Sequence, residues 1–100
     1  MFLAMNRFRI KKGNEDLFEK IWRDRDSRLE EVPGFINFNL MRGDSNEEFT
    51  LYASHTAWKS KEDFSNWTKS EAFKIAHKDA GKHREIYEGP PVFESFEKVL

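Results

Sequence analysis

The stretch Trp67-Thr-Lys-Ser-Glu-Ala-Phe-Lys-Ile-Ala-His77 carries the side chain with the widest chemical range in this sequence. A helix opening after Thr68 or Ser70 places Phe73, Ala76 and His77 at i, i+3 and i+4, on one apolar face. An imidazole in that position is either a hydrogen-bonded core group or a ligand and proton carrier. Two other residues are equally out of character with their neighbours. Asn6 shares a strand face with Phe2, Ala4, Phe8 and Ile10; its amide there either bonds nearby backbone or faces a ligand. Arg25 breaks the apolar stripe of the first helix one turn beyond Trp22. Its guanidinium either snorkels to water or waits for a carboxylate.

Other chemistries find no support. His55, His77 and His83 lack the short spacings of a metal site made from protein alone. With no Cys there are no disulfides and no thiolate nucleophiles or ligands, which suits a reducing compartment. Serine-nucleophile signatures and phosphate-cradling glycine loops are missing. Seventeen basic and 18 acidic residues are mixed along the chain for a net charge of −1, leaving no electrostatic footprint for nucleic acid or anionic membranes. No signal peptide or membrane span is visible, so a cytoplasmic location is expected.

One hundred residues suit a single domain spanning 1–100. Hydrophobic residues make up 38%, which is lean, but ten Phe, three Trp and two Tyr bring large buried area per side chain. Alternation predicts a strand over 2–10. Asn14 caps a helix predicted to run to about Glu31, bearing Leu17, Phe18, Ile21, Trp22, Arg25 and Leu29 on one side. Pro33-Gly34 ends it. A hairpin over 35–58 follows, with Ile36, Phe38 and Leu40 sharing a face of its first strand. In its second strand Phe49, Leu51, Ala53, His55 and Ala57 share one face, and Thr50, Tyr52, Ser54, Thr56 and Trp58 the other. Ser60-x-x-Asp63 opens a short helix with Phe64 and Trp67, and Thr68-x-x-Glu71 has the spacing of a second capping box. Residues 79–91 read as a loop with two glycines and two prolines. A last strand covers Val92 to Val99.

The resulting β-α-β-β-α-β order is that of the α+β ferredoxin-like fold: an antiparallel sheet with helices on one face. Its other face needs cover, which favours a homodimer built face to face as a dimeric α/β barrel. A histidine, an inward asparagine, two helix tryptophans and one misplaced arginine suit a flat, largely apolar ligand with acidic edges and one coordinating position. Haem fits that description. An aromatic polyketide or quinol also fits, and the residues by themselves do not choose.

The chain resembles the IsdG-like haem-degrading monooxygenases of the antibiotic-biosynthesis-monooxygenase superfamily. The resemblance rests on Met5-Asn6-Arg7, Val32-Pro33-Gly34-Phe35, Thr56-Ala57-Trp58-Lys59-Ser60-Lys61 and Trp67-x₂-Ser70-x₂-Phe73-x₃-His77. It implies that His77 is the axial ligand of haem iron. It gives Asn6 a distal hydrogen bond and has Trp67 crowd and ruffle the ring. Trp22, Arg25 and Phe73 then bind the cofactor, with Arg25 on a propionate. Trp22 stands where relatives often have Phe. The implied reaction opens haem, as substrate and cofactor together, with O₂ and electrons from a separate reductase or small reductant. Iron and a linear tetrapyrrole are released. The competing expectations are a cofactor-free monooxygenase of polyketides or quinols, a non-catalytic haem-binding protein, and a dimer domain without a ligand.

Overall fold

Strand β1, Phe2–Lys11, lies inside the sheet because both its edges are paired: β3, Phe49–Trp58, runs antiparallel on one side and β4, Val92–Glu97, on the other. The hairpin strand β2, Phe35–Ser45, completes the order β2-β3-β1-β4. Helices α1, Glu15–Arg23, α2, Lys61–Thr68, and α3, Glu71–Ala76, cover one face. The architecture is the ferredoxin-like one expected from the element order. These coordinates are a computed structural model that describes residues 1–25, 27–78 and 81–100. Among them, no helix is long and apolar enough to cross a membrane.

The alternation expected in β1 and β3 is observed. Phe2, Ala4, Phe8 and Ile10 are buried beneath the helices, as are Thr50, Tyr52, Ser54, Thr56 and Trp58. Register then decides how this face is filled. Phe2 pairs with Trp58 and Phe8 with Tyr52, while between them Ala4 pairs with Thr56 and Asn6 with Ser54. Bulky pairs at both ends gather helix side chains into two clusters. One is built on Phe2, Leu29, Trp58 and Trp67, the other on Phe8, Phe18, Tyr52 and Ile86. The small pairs between them cannot reach the helices, so a hollow is left there.

Four local expectations are corrected. The first helix stops at Arg23 instead of reaching Glu31. Beyond Trp22 only Arg25 and Leu29 continue its stripe, Asp24 and Ser27 are poor helix formers, and Arg28 takes a left-handed φ of 51°. Leu29 still reaches the core, through a separate 3-10 turn, Leu29–Glu31; Asp26 lies outside the described residues. Ile36 does not share a face with Phe38 and Leu40. A register shift between Phe35 and Asn37 turns it outward, leaving it 46% exposed. The strand boundaries move too: β2 continues to Ser45, and the hairpin turns where Asn46 Oδ1 accepts from the N–H groups of Glu48 and Phe49, while β4 ends at Glu97 and not Val99. Finally, the stretch read as loop contains a 3-10 turn, Arg84–Ile86, whose Ile86 is buried, followed by an isolated bridge from Tyr87 to Ile10. Asp79 and Ala80, also read as loop, lie outside the described residues.

Pro33-Gly34 packs against the start of α2. Gly34 has a φ of 84°, and a Cβ there would overlap the Asp63 side chain. Ser60 caps α2 and holds that side chain in place: its Oγ accepts from Asp63 N–H and donates to Asp63 Oδ2, both at 3.1 Å, so the reciprocal bond of a capping box is made by the hydroxyl and not by the Ser60 backbone N–H. Gly34→Ala is therefore expected to lower unfolding stability by about 1–3 kcal/mol in urea denaturation, since strain and overlap act together. An unchanged midpoint would contradict this packing.

Candidate functional site

The hollow over Ala4, Asn6, Ser54 and Thr56 is a cavity of about 410 Å³, roofed by Trp67, Phe73 and His77. It continues into a second lobe of about 640 Å³, and Asn6, Trp22, Arg25 and His77 line both. All six site residues expected from the sequence (Asn6, Trp22, Arg25, Trp67, Phe73 and His77) meet at this one cavity.

Two short helices give the roof its shape. α2 ends at Thr68, and Ser70 begins α3 with both polar functions in use. Its Oγ accepts from Phe73 N–H at 3.2 Å and donates to Trp67 O at 2.6 Å. The capping box expected from Thr68 is not formed, because Thr68 still belongs to α2 and donates to Ser65 O. The break allows Trp67 and His77 to approach the cavity from different helices. Between them, the Phe73 ring meets Trp67 edge-on at 4.9 Å and stacks on the His77 ring at 4.1 Å.

His77 sits at the C-cap of α3, with its backbone N–H bonded to Phe73 O. The same carbonyl lies 2.8 Å from His77 Nδ1. A carbonyl can only accept, so Nδ1 carries the proton and Nε2 is left with the lone pair. Burial holds the imidazole below its usual 6.5; the Phe73 hydrogen bond opposes that shift and the positive charge of Arg25 adds to it. The side chain is thus a neutral imidazole with a committed Nδ1 and an available Nε2, as a metal-ligating histidine requires.

Arg25 lies over the Trp22 ring, its Cζ 4.0 Å from the centroid, and Trp22 stacks against Phe38 at 5.6 Å. Its guanidinium rests on the Trp22 face among the residues that line the cavity. No described carboxylate lines either lobe. The indole N–H groups of Trp22 and Trp67 are buried without hydrogen-bond partners among the described residues. A site that leaves two such donors unmatched gives up stability, about 1–3 kcal/mol for each.

Sequence reading missed Ser54 and Thr56 in the floor, and Arg84 and Tyr87 in the second lobe. The signal for the floor was the run of small residues on one face of β3, which means little until the register sets it opposite Ala4 and Asn6. Burial pushes the Tyr87 phenol pKa up, opposed by the charge of Arg25.

The antibiotic biosynthesis monooxygenase profile matches residues 1–79. A heme-degrading monooxygenase from Bacillus thuringiensis (strain Al Hakam) is 34% identical over 85 residues, 81% of this chain and 75% of that protein. Among solved structures, MhuD from Mycobacterium tuberculosis, a heme-degrader determined with two hemes bound in its active site, aligns with a TM-score of 0.74. It is 29% identical, over 100% of this chain and 97% of that one. SnoaB from Streptomyces nogalater, a cofactor-independent oxygenase, aligns at 0.72 with 17% identity, over 99% and 93%, a likeness of fold alone.

The hydrogen bond to Phe73 fixes the tautomer, and burial fixes the charge. In ¹⁵N-detected NMR the His77 ring should carry its proton on Nδ1 and titrate below about 6.5. Because this folded pKa is depressed, the unfolded chain binds the extra proton first, so the neutral ring adds stability above about 6.5 that is lost as pH falls through the folded value. An Nε2-protonated ring, or a midpoint above the usual value, would refute the assignment.

Proposed function

Because the chain belongs to the antibiotic biosynthesis monooxygenase family, in its heme-degrading branch, we propose that it is a haem oxygenase whose cavity seats haem on His77 Nε2. The chain is an oxygenase. What it oxidises is read here from the site.

The observation that carries this reading is the His77–Phe73 hydrogen bond, which leaves a neutral nitrogen lone pair at a cavity lined by no carboxylate among the described residues. The surrounding residues fit the group. Aromatic walls from Trp22, Phe38, Trp67 and Phe73 suit the faces of a porphyrin, and Arg25 suits a propionate. When bound, haem supplies both the iron that activates O₂ and the ring that is opened, with release of iron and a linear tetrapyrrole. The chain's own residues hold and polarise. His77 anchors from the helix side. Asn6 brings an amide N–H from the sheet side, a donor that never titrates and so serves across pH. Trp67, packed against Trp58 at 5.3 Å, gives the roof a wall that yields little to a flat ring. Arg25, held over Trp22, sets the polar edge. Electrons come from a separate reductase or small reductant.

The sheet face away from the helices carries Leu3, Met5, Leu51, Ala53 and His55, flanked by Met41, Val92 and Phe96, each 42–50% exposed. We take this apolar face to be closed by a second copy of the chain. Leu51→Glu should then give a folded monomer by analytical ultracentrifugation where the parent chain is a dimer; a monomeric parent chain would remove the pairing.

A cofactor-independent oxygenase would share the fold, and haemin separates the two readings. Haemin is expected to give a saturable Soret shift that His77→Ala abolishes; absence of a shift in the parent chain would eliminate haem as ligand. With reductant in air the Soret band should decay with iron release, whereas a stable spectrum would mean binding without turnover. Asn6→Ala should still bind haemin, with turnover lowered on the order of 10²-fold, the scale of losing one preorganised donor. Unchanged turnover would remove Asn6 from the reaction.

A further inference from the structure

The second lobe differs from the first in charge. Its walls include two arginines far apart in sequence: Arg25, just beyond α1, which also lines the first lobe, and Arg84, which opens the 3-10 turn before Tyr87. Near them stand the Tyr87 phenol and the short or ring-closed side of Gly81, Pro90 and Pro91, which leave the guanidinium groups room. No carboxylate of a described residue pairs with Arg84, and none lines the lobe, although the chain has 18 acidic residues. The inner lobe, by contrast, is walled by Phe38, Phe64, Phe73 and Trp67. Together the lobes make one continuous site that shares Arg25, with aromatic walls in the inner lobe and a second arginine, Arg84, only in the outer one.

We infer that Arg84 is a second carboxylate anchor which, with Arg25, takes the two propionates of the tetrapyrrole in the outer lobe and fixes how the ring is turned about His77. This rests on the haem reading above and adds a residue that the resemblance did not supply. The physical reason is geometric. A ring held by one axial nitrogen and one carboxylate keeps rotational freedom about the axial bond, whereas two guanidinium groups on separate elements hold two carboxylates and select one setting. A tetrapyrrole with both carboxylates on one edge matches an outer lobe lined by two arginines, Arg25 and Arg84. The opposite, apolar edge is then directed into the inner lobe, against Phe64 and Phe93. Arg84 acts as a positioning residue: it touches the substrate's edge and leaves the iron to His77. Its guanidinium is exposed, so screening limits its contribution and the effect is moderate.

The test compares haemin with haemin dimethyl ester, both followed by equilibrium Soret titration on the full chain. The parent chain should bind the free acid about tenfold tighter than the ester. In Arg84→Gln that preference should shrink about threefold or more, with ester affinity unchanged, and Arg84→Lys should recover part of it. In the ferric cyanide complex, haem methyl signals in proton NMR should show one dominant ring orientation for the parent chain and a mixture for Arg84→Gln. If Arg84→Gln keeps the full preference for the acid, or weakens acid and ester alike, Arg84 is not a carboxylate anchor even though haem binds. If neither haemin nor its ester shifts the Soret band of the parent chain, the haem reading falls and this inference with it.

Discussion

The side chains of the sheet that face the helices change size along β1 and β3, and that change makes room for a ligand. Phe2 with Trp58 and Phe8 with Tyr52 form two tall rows, and each gathers a separate aromatic cluster from the helices. Ala4 with Thr56 and Asn6 with Ser54 form low rows between them. Filling those rows with Leu or Phe would join the clusters into one continuous core and strengthen the fold by burial. The chain instead keeps a hollow, places Asn6, Ser54 and Thr56 in its floor, and draws stability from the two ends. Such a trade of packing for polar space is what a binding site requires of a small domain.

The roof depends on the break between α2 and α3. Ser70 satisfies Phe73 N–H and Trp67 O at once, so one hydroxyl ties the end of one helix to the start of the next. Seven residues later the chain reaches His77, still close enough to helical geometry for Phe73 O to receive both its backbone N–H and its Nδ1–H. The tautomer of the ring is therefore set by the Phe73 backbone carbonyl. A carbonyl partner leaves the imidazole less basic than a carboxylate would, and burial together with Arg25 pushes in the same direction. Among the described residues the charged side chains lining the site are arginines, in keeping with a ligand that brings its own negative charge.

Much of this was legible in the sequence because alternation and helical spacing are strong signals in a chain with so many aromatics. Asn6, Trp22, Arg25, Trp67, Phe73 and His77 could be singled out as misfits or as members of an apolar face, and the fold follows from element order. Some features need three dimensions. Ser54 and Thr56 look like ordinary strand residues until register sets them opposite Asn6 and Ala4. Ile36 obeys the alternation rule in sequence and breaks it in space, because a bulge inserts one residue. Leu29 keeps helical spacing with Trp22 and Arg25 yet arrives at the core through a different turn. Arg84 and Tyr87 fall in a segment without periodicity, and only the pairing of Tyr87 with Ile10 carries that segment to the site.

A neutral His77 Nε2 available to a ligand in the hollow is the central claim, and a crystal structure of the ferric haem complex tests it most directly. The account predicts iron on His77 Nε2, with the Nδ1–Phe73 carbonyl hydrogen bond retained, Trp67 against the porphyrin and both propionates in the outer lobe by Arg25 and Arg84. Iron bound instead through the Tyr87 oxygen, or a ring lodged outside the hollow over Ala4, Asn6, Ser54 and Thr56, would contradict it.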